Sequence, residues 1–260
     1  MQTAEQSDVY IQTMMKRFRL KDMREQYADI IGEAEETGMS YREFLRRLLS
    51  IEEEGKKTRR IELLTRKAHF RDLKYLEDID YSFNPNMDQE KISELGRLAF
   101  IDASENIIII GPPGVGKTMI ATGIGLKACH AGKKVLFVNA KDLIDRMYEA
   151  MIAGNLKETL KQIDAVDLLI IDELSYISMD KERESLFFQI IRQRYERGSL
   201  IITTNLPIGR WDELFTGKLA ATAILDRLLH HCHVLSITGD SYRVKGPKGD
   251  NTAKTTEISP

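Results

Sequence analysis

The sequence predicts an α/β fold, a parallel sheet covered by helices on both faces as a three-layer sandwich, preceded by a small all-α domain. Three observations carry this. From residue 105 onward, short runs rich in β-branched residues ("NIIIIG", "KKVLFVNA", "DLLIIDE", "SLIITTN", "CHVLSIT") alternate with helical stretches. Those runs are almost continuously apolar, as strands buried on both faces must be, and do not alternate in polarity. Residues 1–70, by contrast, carry apolar residues at helical spacing.

Taken in chain order, Ile11, Met14, Met15, Phe18, Met23 and Tyr27 recur at roughly helical intervals and predict a helix that Thr37-Gly38 ends. Ser40 is placed to cap the next helix, with Glu43 three residues on completing a capping box. That helix is expected to turn Phe44, Leu45, Leu48, Leu49 and Ile51 inward before it becomes strongly charged. Between Arg42 and Lys74 eleven basic residues face six acidic ones, a local balance of +5 inside a chain of net charge −2. Such a block fits a nucleic-acid footprint, with Lys56, Lys57, Arg59 and Arg60 as contacts, or a solvated helix face laced with Glu–Arg pairs. A turn-rich segment around Asn84-Pro85-Asn86 and one more helix lead to the first strand. The chain divides accordingly into a helical domain (1–70), a sheet domain (71–245) and a tail (246–260) with little to bury, expected to be disordered. No internal repeat is visible.

Bulk composition narrows the function. A chain of 260 residues with 42% hydrophobic and 30% charged residues describes a globular protein with a substantial core. No apolar run approaches the roughly 18 residues of a membrane span. The start "MQTAEQSDVY" has neither the basic nor the apolar part of a secretory signal. Cys129 and Cys232 lack metal-ligand spacing and are expected to be reduced, partly buried thiols in the cytoplasm.

The chemistry concentrates where the first strand ends. Gly111-Pro112-Pro113-Gly114-Val115-Gly116-Lys117-Thr118 fits the phosphate-loop pattern G-x-x-x-x-G-K-[ST], with a strand before it and a helix after it. Glycines let backbone N–H groups converge on phosphate oxygens, and the helix start adds its positive end. Lys117 is expected to reach the β and γ phosphates, and the Thr118 hydroxyl to join a Mg²⁺ shell. The strand "DLLIIDE" ends in two adjacent acids: Asp172 is placed for Mg²⁺, and Glu173 to orient and deprotonate an attacking water. This pair argues for hydrolysis over transfer to a substrate hydroxyl. "SLIITTNLP" offers Asn205, or Thr204, as a sensor of the γ-phosphate, unless it is an ordinary turn.

Together "GPPGVGKT", "LLIIDELSYISMDKE", "LFFQIIRQRYERGSLIITTN" and "ATAILDRLLHHCHVLSITGDSYR" resemble the AAA+ ATPases of the DnaA/DnaC initiator-loader branch. Within it the chain is most similar to the IstB-type helper ATPases of bacterial insertion sequences, over almost its whole length. Ser175 departs from the small residue, often glycine, expected before the tyrosine. The resemblance implies ATP and Mg²⁺ as cofactors and a AAA+ sheet domain without a separate lid. It also implies that Arg227 in "ILDRLL" is an arginine inserted into a neighbouring copy's site, suited to that role by its permanent charge and planar fork. Arg243 in "DSYR" would be a second phosphate-sensing arginine. The helices of 141–163 would grip DNA through Arg146, Lys157 and Lys161, although a plain amphipathic pair explains them as well. Tyr81 and Phe83 stand where relatives bury adenine, or serve ordinary packing.

The function so implied is that of a cytoplasmic bacterial ATPase forming homo-oligomers on duplex DNA, mainly through backbone contacts with little sequence preference. It would remodel that DNA and recruit an IstA-type transposase, with no membrane partner. A DnaC-like replicative helicase loader is the alternative. A small-molecule kinase is disfavoured because no lid arginine cluster is visible, and an adaptor without turnover would keep the loop but not the chemistry.

Overall fold

The computed structural model describes residues 4–176 and 179–245. The tail expected to be disordered lies outside the described residues. The chain forms two compact units, residues 1–63 and 64–260.

The first unit is helical: α1 (Ala4–Arg17), α2 (Lys21–Thr37) and α3 (Tyr41–Ala68), whose last turns from Leu64 count with the second unit. The single helix expected up to Thr37 is two. Arg19 takes a left-handed φ of 57° and the Leu20 N–H donates to Met15 O at 2.8 Å. This is a Schellman-type closure built without glycine, so no residue type announces it. The break leaves Phe18 65% exposed. Gly38 closes α2 the same way, with a φ of 64°.

Ser40 Oγ accepts the Glu43 N–H at 3.3 Å, while the Glu43 carboxylate takes Arg46 instead of turning back to complete the box. Met15, Met23, Tyr27, Ile30 and Leu48 form the small core, with Phe44 and Ile51 against it. Leu45 and Leu49, expected inside, are more than half exposed; one helix face 100° wide cannot hold five positions so closely spaced. Beside this core the α2–α3 contact has a polar part: the Arg59 guanidinium pairs with Asp22 at 2.6 Å and reaches the buried Glu52 at 3.7 Å.

The second unit is the predicted sandwich. Five parallel strands, β1 (Asn106–Ile110), β2 (Val135–Asn139), β3 (Leu168–Asp172), β4 (Ser199–Thr204) and β5 (Cys232–Ser236), lie in the order β2-β3-β4-β1-β5. Alternation along each strand divides the core. Ile107, Ile109, Phe137, Ile170 and Ile201 face α4 (Gln89–Leu95), α5 (Ala99–Asp102) and α6 (Lys117–His130). Ile108, Leu169, Ile171, Leu200 and Ile202 face α7 (Ala140–Ile152), α8 (Leu156–Asp164), α9 (Lys181–Arg194) and α10 (Lys218–Leu229). With apolar layers on both sides, the middle positions of the strands must be apolar, which is why the runs read as continuous, and the buried polar residues fall at strand ends. Among the described residues no helix is long and apolar enough to cross a membrane.

Candidate nucleotide-binding site

In an open parallel sheet, ligands bind beyond the carboxyl ends of the strands. There β1, β3, β4 and β5 release their loops side by side, with Ile110 opposite Thr204 on one neighbour and Ser236 on the other. Residues 111–116 turn from β1 into α6, so that Lys117 and Thr118 open the helix.

Two glycines are required by a segment far away in sequence. A Cβ on Gly111 would collide with the carbonyl oxygen of Ile237. Gly114 has a φ of 83°, and a Cβ there would strike Ser241. The chain beyond β5 lies across the loop: Ile237 N–H donates to Ile110 O at 2.7 Å and Tyr242 N–H to Gly114 O at 3.0 Å.

Lys117 is buried, and its Nζ donates to Gly111 O and Pro112 O, both at 2.8 Å. The ammonium therefore rests on the carbonyls of its own loop, weaker acceptors than phosphate oxygens. Thr118 Oγ1 donates to Asp172 Oδ1 at 3.0 Å. Asp172 is 1% exposed, and its Oδ1 also accepts the Thr203 hydroxyl at 2.5 Å.

Glu173 holds a left-handed φ of 61°, uncommon for a residue with a Cβ. Its N–H donates to Thr203 Oγ1 at 2.9 Å, and its carboxylate accepts Asn139 Nδ2 at 2.8 Å. Thr203 thus holds both acids, one through its proton and one through its lone pair. Asn139 stands opposite Asp172 in the β2–β3 register, which brings its amide to the next residue.

A cavity of about 370 Å³ opens over these groups, lined by Pro113–Ile120 together with Glu173 and Asn205. Ile79, Phe83 and Met87 give it an apolar side. Tyr242 meets Phe83 edge-on, the ring centroids 4.8 Å apart. That volume falls in the range of small-ligand pockets. Of the two aromatics singled out in the sequence, Phe83 borders the cavity, and Tyr81 packs at the margin of the core.

Of the two candidate sensors, Asn205 borders the cavity, with its N–H donating to Ser175 Oγ at 3.0 Å. Thr204 is buried, its hydroxyl accepting the Leu206 N–H at 3.0 Å and so holding its own turn. Arg227 is not among the cavity residues. It lies on α10, its guanidinium donating to Ala223 O at 2.8 Å and lying over the Phe188 ring at 5.2 Å. Arg243 is the second residue of the last described turn, α11 (Tyr242–Lys245), and its side chain lies outside what the structure describes. Arg146, Lys157 and Lys161 are exposed on α7 and α8, Arg146 donating to Gln162 at 2.6 Å. In the first unit Lys56, Lys57 and Arg60 are exposed, Lys56 reaching Glu52 at 3.4 Å, and Arg59 pairs with Asp22.

The family model described as IstB-like ATP binding protein matches residues 13–249. The chain belongs to that family. A relative from Pseudomonas aeruginosa, named as an ATP-binding protein of insertion sequence IS21, is 39% identical over 96% of this chain and 95% of its own length. One from Geobacillus stearothermophilus, named likewise for insertion sequence IS5376, is 38% identical over 88% of this chain and 91% of its own. Among solved structures, DnaA from Aquifex aeolicus with bound AMPPCP superposes with a TM-score of 0.55 at 20% identity, covering 67% of this chain and 53% of that one. DnaI does so with 0.53 at 22%, covering 65% and 89%. These likenesses show the fold, a parallel-sheet sandwich with helices on both faces.

In this IstB-family chain, sequence reasoning missed Asn139, Thr203, Ser175 and Tyr242. Asn139 carries one readable signal, its Oδ1 capping α7 by accepting the Lys141 N–H at 2.9 Å. The same amide's nitrogen is what reaches Glu173. Ser175, which looked like a departure from the family pattern, supplies the acceptor that fixes Asn205.

Proposed function

We propose that this chain is an ATPase that assembles on duplex DNA and prepares it for a transposase. One observation carries the enzymatic part. The buried Asp172, tied to Thr118 and Thr203, stands beside a Glu173 carboxylate on the wall of the cavity that the phosphate loop borders.

The oxygens of Thr118 and Asp172 suit Mg²⁺, a hard cation that shares its shell with substrate phosphates. When bound, Mg²⁺ would neutralise charge on the β and γ oxygens. Lys117 exchanges its two loop carbonyls for phosphate oxygens. The N–H groups of the loop and of the α6 start receive the remaining charge. Glu173 accepts the proton of the attacking water, and its hydrogen bond to Asn139 holds the carboxylate in position or withholds it. Asn205, anchored through its backbone to Ser175, presents its side chain to the leaving γ-phosphoryl group.

Arg227, away from its own cavity, serves the site of a neighbouring copy; such fingers contribute about 10³–10⁵ in rate. The assembly is therefore a homo-oligomer whose sites are completed between copies. Bending duplex DNA costs on the order of several kcal/mol, and many phosphate contacts on several copies offset it. Arg146, Lys157 and Lys161, with Lys57 and Arg60 of the first unit, are the candidate contacts, so sequence preference is slight. The transposase partner is supported by relatives named for insertion sequences.

Phosphate release measured with and without duplex DNA, alongside particle mass with an ATP analogue, tests the proposal. Turnover that rises with DNA, a larger particle with analogue and DNA, and loss of turnover in Glu173→Gln are expected. A Glu173→Gln protein that hydrolyses ATP like the wild type would remove the assigned base. A particle that stays monomeric and ignores DNA with or without nucleotide overturns the assembly. Co-purification with a replicative helicase in place of the element's transposase overturns the transposition role.

A further inference from the structure

At the opposite, amino end of the strands, three metal-ligating side chains converge away from the nucleotide cavity. The turn between α9 and β4 carries Glu196, and α10 runs into β5 through His230 and His231. One carboxylate oxygen and two imidazole nitrogens from these residues lie within 4.8 Å of one another, and all three residues are exposed. The two rings are 4.1 Å apart at their centroids. Tyr195 Oη stands 2.9 Å from His230 Nδ1, which engages that nitrogen and leaves Nε2 as the remaining donor. The next two residues are committed elsewhere: Cys232 packs against the core, and His233 Nε2 pairs with Glu105 at 2.7 Å.

We propose that Glu196, His230 and His231 form a site for a divalent transition metal of the zinc class. Two imidazoles and a carboxylate are the donors such borderline ions take, whereas Mg²⁺ prefers oxygen alone. Metal–ligand bonds of about 2.0–2.2 Å place donors about 3–4 Å apart, so exposed side chains already within 4.8 Å close on an ion by small torsions. With the Tyr195 phenol on Nδ1, the other His230 nitrogen is left to the ion, and a partner on the second ring nitrogen is the outer contact that fixes a ligating histidine. Three protein ligands leave a fourth position for water or a donor from another molecule. The ion ties the turn after α9 to the end of α10, the helix that bears Arg227.

Zinc titrated calorimetrically into the full chain, freed of any histidine tag and stripped with chelator, is expected to bind one equivalent and to withstand millimolar Mg²⁺. His230→Ala and His231→Ala should each weaken binding at least about tenfold, and Tyr195→Phe roughly tenfold. Thermal melts with and without zinc give a second reading: the wild type rises with the ion and the His230→Ala/His231→Ala double variant does not. The proposal is overturned by a double variant that, folded by its melt, binds zinc as the wild type does. It is also overturned by a wild type that gives neither heat nor a shifted melt.

Discussion

Both ends of the sheet bury charge, and they use it in opposite ways. At the carboxyl end the buried Lys117 borders a cavity and the buried Asp172 accepts from Thr118 on its wall, and Lys117 donates to loop carbonyls that an incoming phosphate can replace. At the amino end Arg194, 2% exposed, donates to the carbonyls of Ile163, Val166, Asp167 and Ser199. Burial holds its guanidinium down to about 10, still charged at neutral pH. Asn106 joins the same layer, its amide donating to Leu228 O and accepting the Leu200 N–H. Burial alone therefore does not mark function. A charge surrounded by the protein's own carbonyls is a staple across α8, β3 and β4, and a charge beside open space is a site.

This contrast is tested by changes that should affect one end and spare the other. The largest effect belongs to Glu173→Gln: phosphate release should fall by about 10²–10⁴, with ATP affinity by equilibrium dialysis and the melting temperature held. A comparable loss of stability would break the distinction. Next comes Arg194→Met, which removes the donor of four carbonyl bonds, those to Ile163 and Ser199 fully buried, and should cost on the order of 3 kcal/mol or more in urea unfolding. Nucleotide affinity of the folded fraction should stay as in the wild type. Ser175→Ala removes one bond to the Asn205 backbone and should cost about 1 kcal/mol, roughly a fivefold loss in kcat with KM nearly constant.

A further effect, on stability alone, concerns pH. Burial pushes the Cys129 thiol up to about 11 and the Cys232 thiol up to about 12, from an ordinary value near 9. The folded state thus keeps protons that the unfolded chain gives up, so this stability is whole below pH 9 and is lost as pH rises through 9 to 12. Melts compared at pH 8 and pH 10 should show the decline, shallower in a Cys129→Ala/Cys232→Ala double variant.

Much of this molecule was legible because its strongest signals are local. Continuous apolar runs gave all five strands, and the fixed spacing of Gly111, Gly116, Lys117 and Thr118 gave the loop. What escaped depends on strands adjacent in space and distant in sequence: Asn139 and Thr203 reach the acids only because β2 and β4 flank β3. In the first unit the turn at Arg19 escaped because a backbone hydrogen bond, not a glycine, ends α1. Leu45 and Leu49 were misplaced because hydrophobicity alone does not say which of several neighbouring leucines a narrow stripe accommodates.

The strip of chain after β5 bears on how this protein should be handled. Ile237 and Tyr242 roof the phosphate loop, each through a backbone N–H that any residue but proline would offer. A fragment cut just before Ile237 would retain every residue of the loop motif and both acids, yet leave the loop uncovered and its two tightly fitted glycines with nothing to fit. Shortened versions made for crystallisation or partner mapping should keep these ten or so residues, or their nucleotide-binding results will describe the damage and not the protein.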